Sequence, residues 1–515
     1  MTIKGVKMNR RGFLLQALLG MTATQIKAPL AHNIEFSVNP FTLGIASGDV
    51  TESSVVLWSR LAPEPSKAGG GMESFSVPVQ WELSLDAKMS RIIQRGELLA
   101  EPALAHSVHV DVQNLESSRE YWYRFTAATH KSQIGRTKTL PYKDSHTESV
   151  RFITCSCQNY THGYFVAYEH MISDRPDFVI HLGDYIYDTS FGETFRKHDR
   201  ENAPSTLADY RRRHALYKTD RHLQRAHAAL PFFTVIDNHD AIEDMDPAGF
   251  AKRAAAYQAW YEHMPVRGYG VAGDNHFSLH RLIQFGDLMQ INLLDTRQFR
   301  DKKDLCTDNL DTGFGFGNYR ERCDELFPED RTMLGGQQEQ WLHESLVKNR
   351  AAWNVVASSV PFLPFHLQVE GKQYGYIGAW DAYPANRARI VQAISKAKSG
   401  HPIVLSGDVH SFWALDGALA KQEVDRIPVV EFITSSISAN WPEPLSQPIT
   451  ENLDHNPQVL FYDGGKRGYL LHEVNKRTWK TTLRAVDDKN NNESTAHDLA
   501  TFNVTNGEPG VRRTS

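Results

Sequence analysis

The chain has only four cysteines in 515 residues, too few for a disulfide scaffold. No apolar run is long enough to cross a bilayer. The N-terminal one, Phe13 to about Ala23, falls short of the roughly 20 residues a spanning helix needs. Low-complexity tracts are missing, and the composition is that of an ordinary globular protein. Neither sign of charge dominates: 56 Lys and Arg stand against 61 Asp and Glu, so nothing favours nucleic acid or an anionic membrane as the main partner. The densest basic run, Arg211-Arg212-Arg213, reads as a solvated helix face.

What is present starts at the N-terminus. Asn9-Arg10-Arg11-Gly12-Phe13-Leu14 is a twin-arginine pattern, and residues 1–31 read as a removable signal peptide rather than an anchor. Signals of this type export proteins that are already folded. The expected partner is therefore the twin-arginine export machinery, and the expected location is periplasmic or secreted. An oxidising compartment permits disulfides. Cys306 and Cys323 share a loop-like region and could close a small ring, whereas Cys155 and Cys157 are too close to bridge comfortably. Four cysteines allow three pairings, and spacing alone does not choose.

Two regions follow. Residues 38–140 alternate in short runs broken by turns, with strands expected at Val55–Trp58, Val77–Leu83, Ser107–Val112 and Tyr121–Phe125. That spacing suggests a small all-β sandwich of fibronectin or immunoglobulin type. Lys138 to Glu148 reads as a polar link. From 149 to about 500 the pattern turns α/β. Apolar runs at Arg151–Thr154, Asp177–Leu182, Phe232–Ile236, Leu288–Leu294, Trp353–Ala357, Pro402–Ser406 and Val430–Ile433 read as buried strands. A polar segment of helical period spans Thr206–Ala229, and helices are expected near Tyr164–Ile172, Pro247–His263, Gln337–Lys348 and Asn386–Lys398.

The strands end in metal-ligand chemistry. Cys157, Asp184, Asn238, Asp295, and Asp408 with His410 all fall just past a strand, where α/β folds bind ligands. Asp184 offers two oxygens and can bridge two cations. Tyr187, three residues on, and Cys157 are anionic ligands when deprotonated. His410 adds an imidazole, and Asn238 a neutral oxygen. Thiolate and phenolate suit a strongly Lewis-acidic ion; aspartate and asparagine oxygens suit calcium, magnesium or manganese. Water on such an ion becomes a nucleophile near neutral pH. His239 can protonate a leaving oxygen, and Arg297 can grip phosphate oxygens or sit in a structural ion pair. His181 and Cys155 read as core residues. Trp380, Tyr383 and Trp413 are core or pocket wall, and Thr450–Tyr469 is a possible lid.

These motifs resemble those of the PhoD family of alkaline phosphatases and phosphodiesterases, within the calcineurin-like metallophosphoesterases. The resemblance rests on Phe41–Asp49, Ser156-Cys157-Gln158-Asn159-Tyr160, His181-Leu182-Gly183-Asp184-Tyr185-Ile186-Tyr187, Asp295-Thr296-Arg297-Gln298, Trp380-Asp381-Ala382-Tyr383-Pro384 and Ser406-Gly407-Asp408-Val409-His410-Ser411. It implies an α/β metallophosphoesterase sandwich flanked by helices, preceded by the small all-β domain. It also implies iron(III) on Cys157, Asp184, Tyr187 and His410, with calcium shared by Asp184, Asn238 and Asp408. Asp237-Asn238-His239-Asp240 departs from the family pattern and is closer to the wider superfamily's Asn-His-Asp/Glu motif, which leaves room for another divalent ion at the second site. Glu243 or Asp244 could add a carboxylate there. The implied function is hydrolysis of phosphate mono- or diesters. A phospholipase-D-like diesterase and a non-catalytic secreted binding protein are the alternatives.

Overall fold

The computed structural model describes residues 35–241, 247–268, 279–302, 305–306, 318–397, 400–420 and 427–515. The expected signal peptide, Glu243 and Asp244 lie outside the described residues.

Two sheets form the centre. In the first, ten strands run in the order Arg512–Arg513, Ala496–Thr505, Thr478–Val486, Arg467–Asn475, Ser149–Cys155, Phe178–His181, Pro231–Thr234, Ile45–Gly48, Val55–Arg60 and Ser107–Val112. The second has seven: Arg281–Phe285, Met289–Leu293, Trp353–Ala357, His401–Ser406, Val430–Ile433, Phe412–Asp416 and Val459–Asp463. The middle strands of both are parallel. They are nearly all-apolar because both faces are covered.

The period of two divides each strand between layers. Phe152, Ile180, Ile291, Val355, Ile403 and Leu405 enter the core between the sheets. Their neighbours Ile153 and Val179 meet one outer layer, with Leu223 and Trp260. Val356 and Val404 meet the other, with Leu342 and Ile390. The result is a helix–sheet–sheet–helix sandwich. The sheets are joined at their ligand-bearing end by a parallel bridge between Ser156 and Ser436.

The N-terminal region is all-β, but one of its two sheets is continuous with the large sheet: Ser47 and Gly48 pair in parallel with Pro231 and Phe232. The other sheet is built on Ile92–Ala100, Val77–Ser84 and Glu120–Ala127 and buries Val79, Tyr123 and Phe125 in the shared core. The Tyr121 hydroxyl accepts from the Glu116 amide at 2.9 Å, a tyrosine corner of the kind seen in such sandwiches.

Three local expectations change. The polar segment Thr206–Ala229 is two helices, Leu207–Lys218 and Arg221–Ala229. Asp220 caps the second through the amides of His222 and Leu223 and so breaks the run. Arg211-Arg212-Arg213 is not a solvated face: Arg211 pairs with the buried Glu262, Arg212 with Asp209, and Arg213, 1% exposed, donates to the carbonyls of Tyr187 and Asp188. Within the possible lid Thr450–Tyr469, Val459–Asp463 is a sheet strand hydrogen-bonded to Phe412–Asp416 rather than a cover over the site. Cys306 and Cys323 form a disulfide, and Cys155 and Cys157 are free and buried.

Candidate active site

Four loops meet where the two sheets converge. The loop after Ser149–Cys155 carries Cys157, whose amide donates to the Gly183 carbonyl at 3.1 Å. The loop after Phe178–His181 carries Asp184 and Tyr187. A Cβ on Gly183, at φ +103, would collide with the Asp237 side chain, so only glycine lets these loops close. Asp240 ties two loops together by accepting from the amides of Tyr185, Ile186 and Asp237. Cys157, Asp184, Asp408 and His410 all have left-handed backbones, at φ 60, 53, 72 and 48. Non-glycine residues in that region cost on the order of 1 kcal/mol or more each and persist where function needs them. Here they turn four donor side chains toward one point.

Two overlapping donor groups result. Atoms of Cys157, Asp184 and His410 lie within 4.8 Å of one another, as do those of Asp184, Asp237 and Asp408. The Tyr187 hydroxyl is 3.1 Å from Asp184 Oδ2 and 2.8 Å from His410 Nε2. His410 Nδ1 is 2.8 Å from the Asn440 carbonyl, so it carries the ring proton and Nε2 presents its lone pair. Asn440 is itself held, its amide donating to His162 Nδ1 at 3.0 Å.

Burial opposes charge throughout. It pushes the Cys157 thiol and the Tyr187 phenol well above their ordinary values, and the Asp184 charge adds to both. Asp184 rises to about 6 and Asp408 to about 8, first by burial and then with repulsion from Asp237. His410 falls to about 3, again mainly by burial. One oxygen of Asp237, Oδ2, is buried with no hydrogen-bond partner. Arg297 meets the other oxygen, Oδ1, and the unpaired Oδ2 carries a desolvation cost that a bound cation would offset. The donor set of one thiol, one phenol, one imidazole and shared carboxylates therefore fits a strongly Lewis-acidic ion beside an oxygen-ligated one.

Asn238 lines the same cavity as Asp184, Asp408 and His410, with its oxygen 3.3 Å from Arg297 Nη2. Asp237 was not singled out by the sequence reading. Its position at the end of a buried strand was the signal, but its neighbour Asn238 had the same one. Asp295 stays outside the donor groups, accepting from the amides of Arg297 and Gln298. Arg297 is not a free phosphate grip here. Its guanidinium is 4% exposed and pairs with Asp237 and Asp408, where its charge offsets theirs.

His239 lines the cavity too. Its ring stacks on Tyr187 at 4.2 Å, its amide donates to Asp184 Oδ1 at 3.1 Å, and its Nδ1 lies 2.6 Å from Asp188 Oδ1. Burial works against the imidazolium, but Asp184 and Asp188 outweigh it and raise His239 to about 9. Asp188 is the second residue that sequence reasoning left without a role, because its partner is 51 positions away.

A double sheet with donors at its carboxyl end is the frame of a metallophosphoesterase. The solved purple acid phosphatase PPD1 from yellow lupin (Lupinus luteus) seeds shares the fold, with a TM-score of 0.56 at 11% identity over 90% of this chain and 73% of that one. Residues 152–483 match the PhoD-like phosphatase family, and residues 26–141 match the PhoD-like phosphatase N-terminal domain. Alkaline phosphatase D of Bacillus subtilis (strain 168) is 36% identical, covering 96% of this chain and 86% of that protein. The structure titled "Structure of PhoD" superposes with a TM-score of 0.85 at 36% identity, covering 94% of this chain and 93% of that one. The chain belongs to the PhoD-like phosphatase family and is a metal-dependent phosphoester hydrolase. Neither the phospholipase-D-like reading nor the binding-protein reading is favoured. Among the described residues, no helix is long and apolar enough to cross a membrane.

Proposed function

We propose that the protein is an exported phosphatase and phosphodiesterase, and that the convergent donor groups carry its chemistry. Cys157, Tyr187 and His410 with Asp184 would hold iron(III). Asp184, Asp237, Asn238 and Asp408 would hold calcium or another divalent ion. The pairing of one soft-to-phenolic group with one oxygen-only group, sharing Asp184, is the observation that supports this assignment. When bound, such ions supply Lewis-acid charge and lower the pKa of water.

The chain's own residues do the rest. Asp188 fixes the His239 ring through Nδ1 and keeps it protonated, so its second nitrogen serves as the proton donor to the leaving oxygen. Arg297 pairs with both Asp237 and Asp408 and offsets their mutual repulsion. Arg213, holding the Tyr187 and Asp188 carbonyls, sets the position of both side chains. Residues 1–31 would act as the twin-arginine export signal, 38–140 as the N-terminal β-domain and 149–500 as the catalytic domain. The test is a panel of phosphate monoesters, diesters and phospholipids combined with elemental analysis of the purified protein. Hydrolysis of mono- or diesters with iron and calcium present supports the assignment. Full activity with zinc alone would overturn the metals, and turnover confined to phospholipids would overturn the substrate class.

A further inference from the structure

The cavity at the site has two unlike kinds of lining. It encloses about 180 Å³ and is lined by the polar groups of Asp184, Asn238, His239, Asn318, Asp408 and His410 together with Tyr319, Tyr376, Trp413, Trp441, Leu445 and Ile449. The polar atoms of three of these aromatics are engaged within the protein. Trp413 Nε1 donates to Ser411 Oγ at 2.8 Å, Trp441 Nε1 to Ser446 Oγ at 2.6 Å, and the Tyr376 hydroxyl to Asp408 Oδ2 at 2.7 Å. The two indole N–H groups and the Tyr376 O–H are therefore not free to donate to a ligand. The wall is braced from behind: Trp413 packs on Phe365 at 5.1 Å and on Tyr462 at 4.5 Å. A smaller hollow of about 30 Å³ shares Tyr319, Tyr376, Val409 and Trp413 with the cavity. Among the described residues, no lysine or arginine lines the cavity.

With cations held by the carboxylates to take the phosphoryl oxygens, the alcohol part of the ester would lie against this wall. An apolar group there loses water-exposed surface, and an aromatic one finds ring partners. A second phosphate or carboxylate against this wall would lose its hydration with no lysine or arginine of the described lining to meet it, and His239, the cationic side chain there, is already paired with Asp188. We infer that the preferred substrate is a phosphoester whose alcohol part is an uncharged aromatic or apolar group, selected by the wall of Trp441, Leu445 and Ile449. This rests on the proposed placement of the phosphoryl group at the carboxylate cluster.

The test compares kcat/KM of the metal-loaded enzyme on benzyl phosphate, ethyl phosphate and 3-phosphoglycerate. Benzyl phosphate is expected to exceed ethyl phosphate by about tenfold, on the scale by which an apolar pocket discriminates, and 3-phosphoglycerate by more. Leu445→Arg, which adds a cation to the wall, is expected to raise 3-phosphoglycerate relative to benzyl phosphate. Binding of benzylphosphonate and methylphosphonate to the wild type, followed by tryptophan fluorescence, gives a readout that needs neither turnover nor the variant. The benzyl compound is expected to bind more tightly by a similar factor. Equal rates on the three esters, a reversed order, or equal phosphonate affinities would overturn the inference while leaving the phosphoryl placement intact. Phosphonates that bind without competing with ester hydrolysis would overturn the placement itself.

Discussion

Replacing Asp188 by asparagine isolates the contact that sets the charge on His239. Asparagine keeps the shape and one acceptor oxygen, so the ring stays stacked on Tyr187 while a unit charge 2.6 Å from Nδ1 is removed. A hydrogen bond to a charged group is worth about 1.5–3 kcal/mol. The side chains are 24% and 29% exposed, so the lower half of that range applies. At 1.36 kcal/mol per unit, the His239 pKa drops by roughly one unit from its raised position. The group is protonated below its pKa, so the change narrows the active window from the alkaline side. The alkaline limb of kcat against pH moves acidward by about one unit. Above about pH 9 the loss falls on esters whose leaving oxygen needs a proton, roughly tenfold on benzyl phosphate and much less on 4-nitrophenyl phosphate, while rates near pH 7 change little. Equal losses on the two esters, with an unmoved alkaline limb, would refute the proton-donor role.

Asp184→Asn is expected to abolish hydrolysis on every ester while leaving the circular dichroism spectrum and the fold intact, since a buried group already resisting ionisation loses its charge; retained activity would remove Asp184 from its bridging position. Glu431 is fully buried, accepts from the amides of Phe362 and Leu363, and is raised by burial from 4.5 to about 7. Its folded pKa lies above its unfolded one, so its contribution to stability is complete below pH 4.5 and is lost as pH rises through 7. Urea unfolding of Glu431→Gln against wild type should therefore show the variant gaining about 3 kcal/mol relative to wild type between pH 4.5 and 8; parallel curves would contradict this. Removing the Cys306–Cys323 disulfide, which spans 17 positions, by double serine substitution is expected to cost about 3 kcal/mol under oxidising conditions and nothing further in reductant.

The strands and their ligand ends were legible because they obey local rules. A strand buried on both faces is a short apolar run, and Asp177–Leu182 or Pro402–Ser406 can mean little else. What stayed hidden depends on partners far along the chain. The pairing of Ile45–Gly48 with Pro231–Thr234, which fuses the N-terminal sheet to the catalytic one, leaves no mark in either segment. Asp237 and Asn238 are adjacent and both plausible donors, and only the backbone direction, set by the absent Cβ of Gly183, turns Asp237 toward Asp184. Arg213 looked solvent-facing because a run of three arginines reads as a hydrated helix face, although Arg211 and Arg212 are themselves covered and paired with Glu262 and Asp209. Its burial follows from the carbonyls of the Tyr187 loop, which no helical period reports. Asp220 breaks a polar helical run because its side chain caps the next helix, a competition that composition alone does not resolve.

The central claim is that one group of donors selects iron and the other an oxygen-loving ion, with Asp184 between them. Elemental analysis of the purified wild type beside Tyr187→Phe tests this most directly. The phenol touches Asp184 and His410, the residues that share a donor group with Cys157. The wild type is expected to carry iron and calcium, and the variant to lose iron while keeping calcium. Iron retained at the wild-type level in the variant, or a fully active wild type containing neither metal, would contradict the assignment.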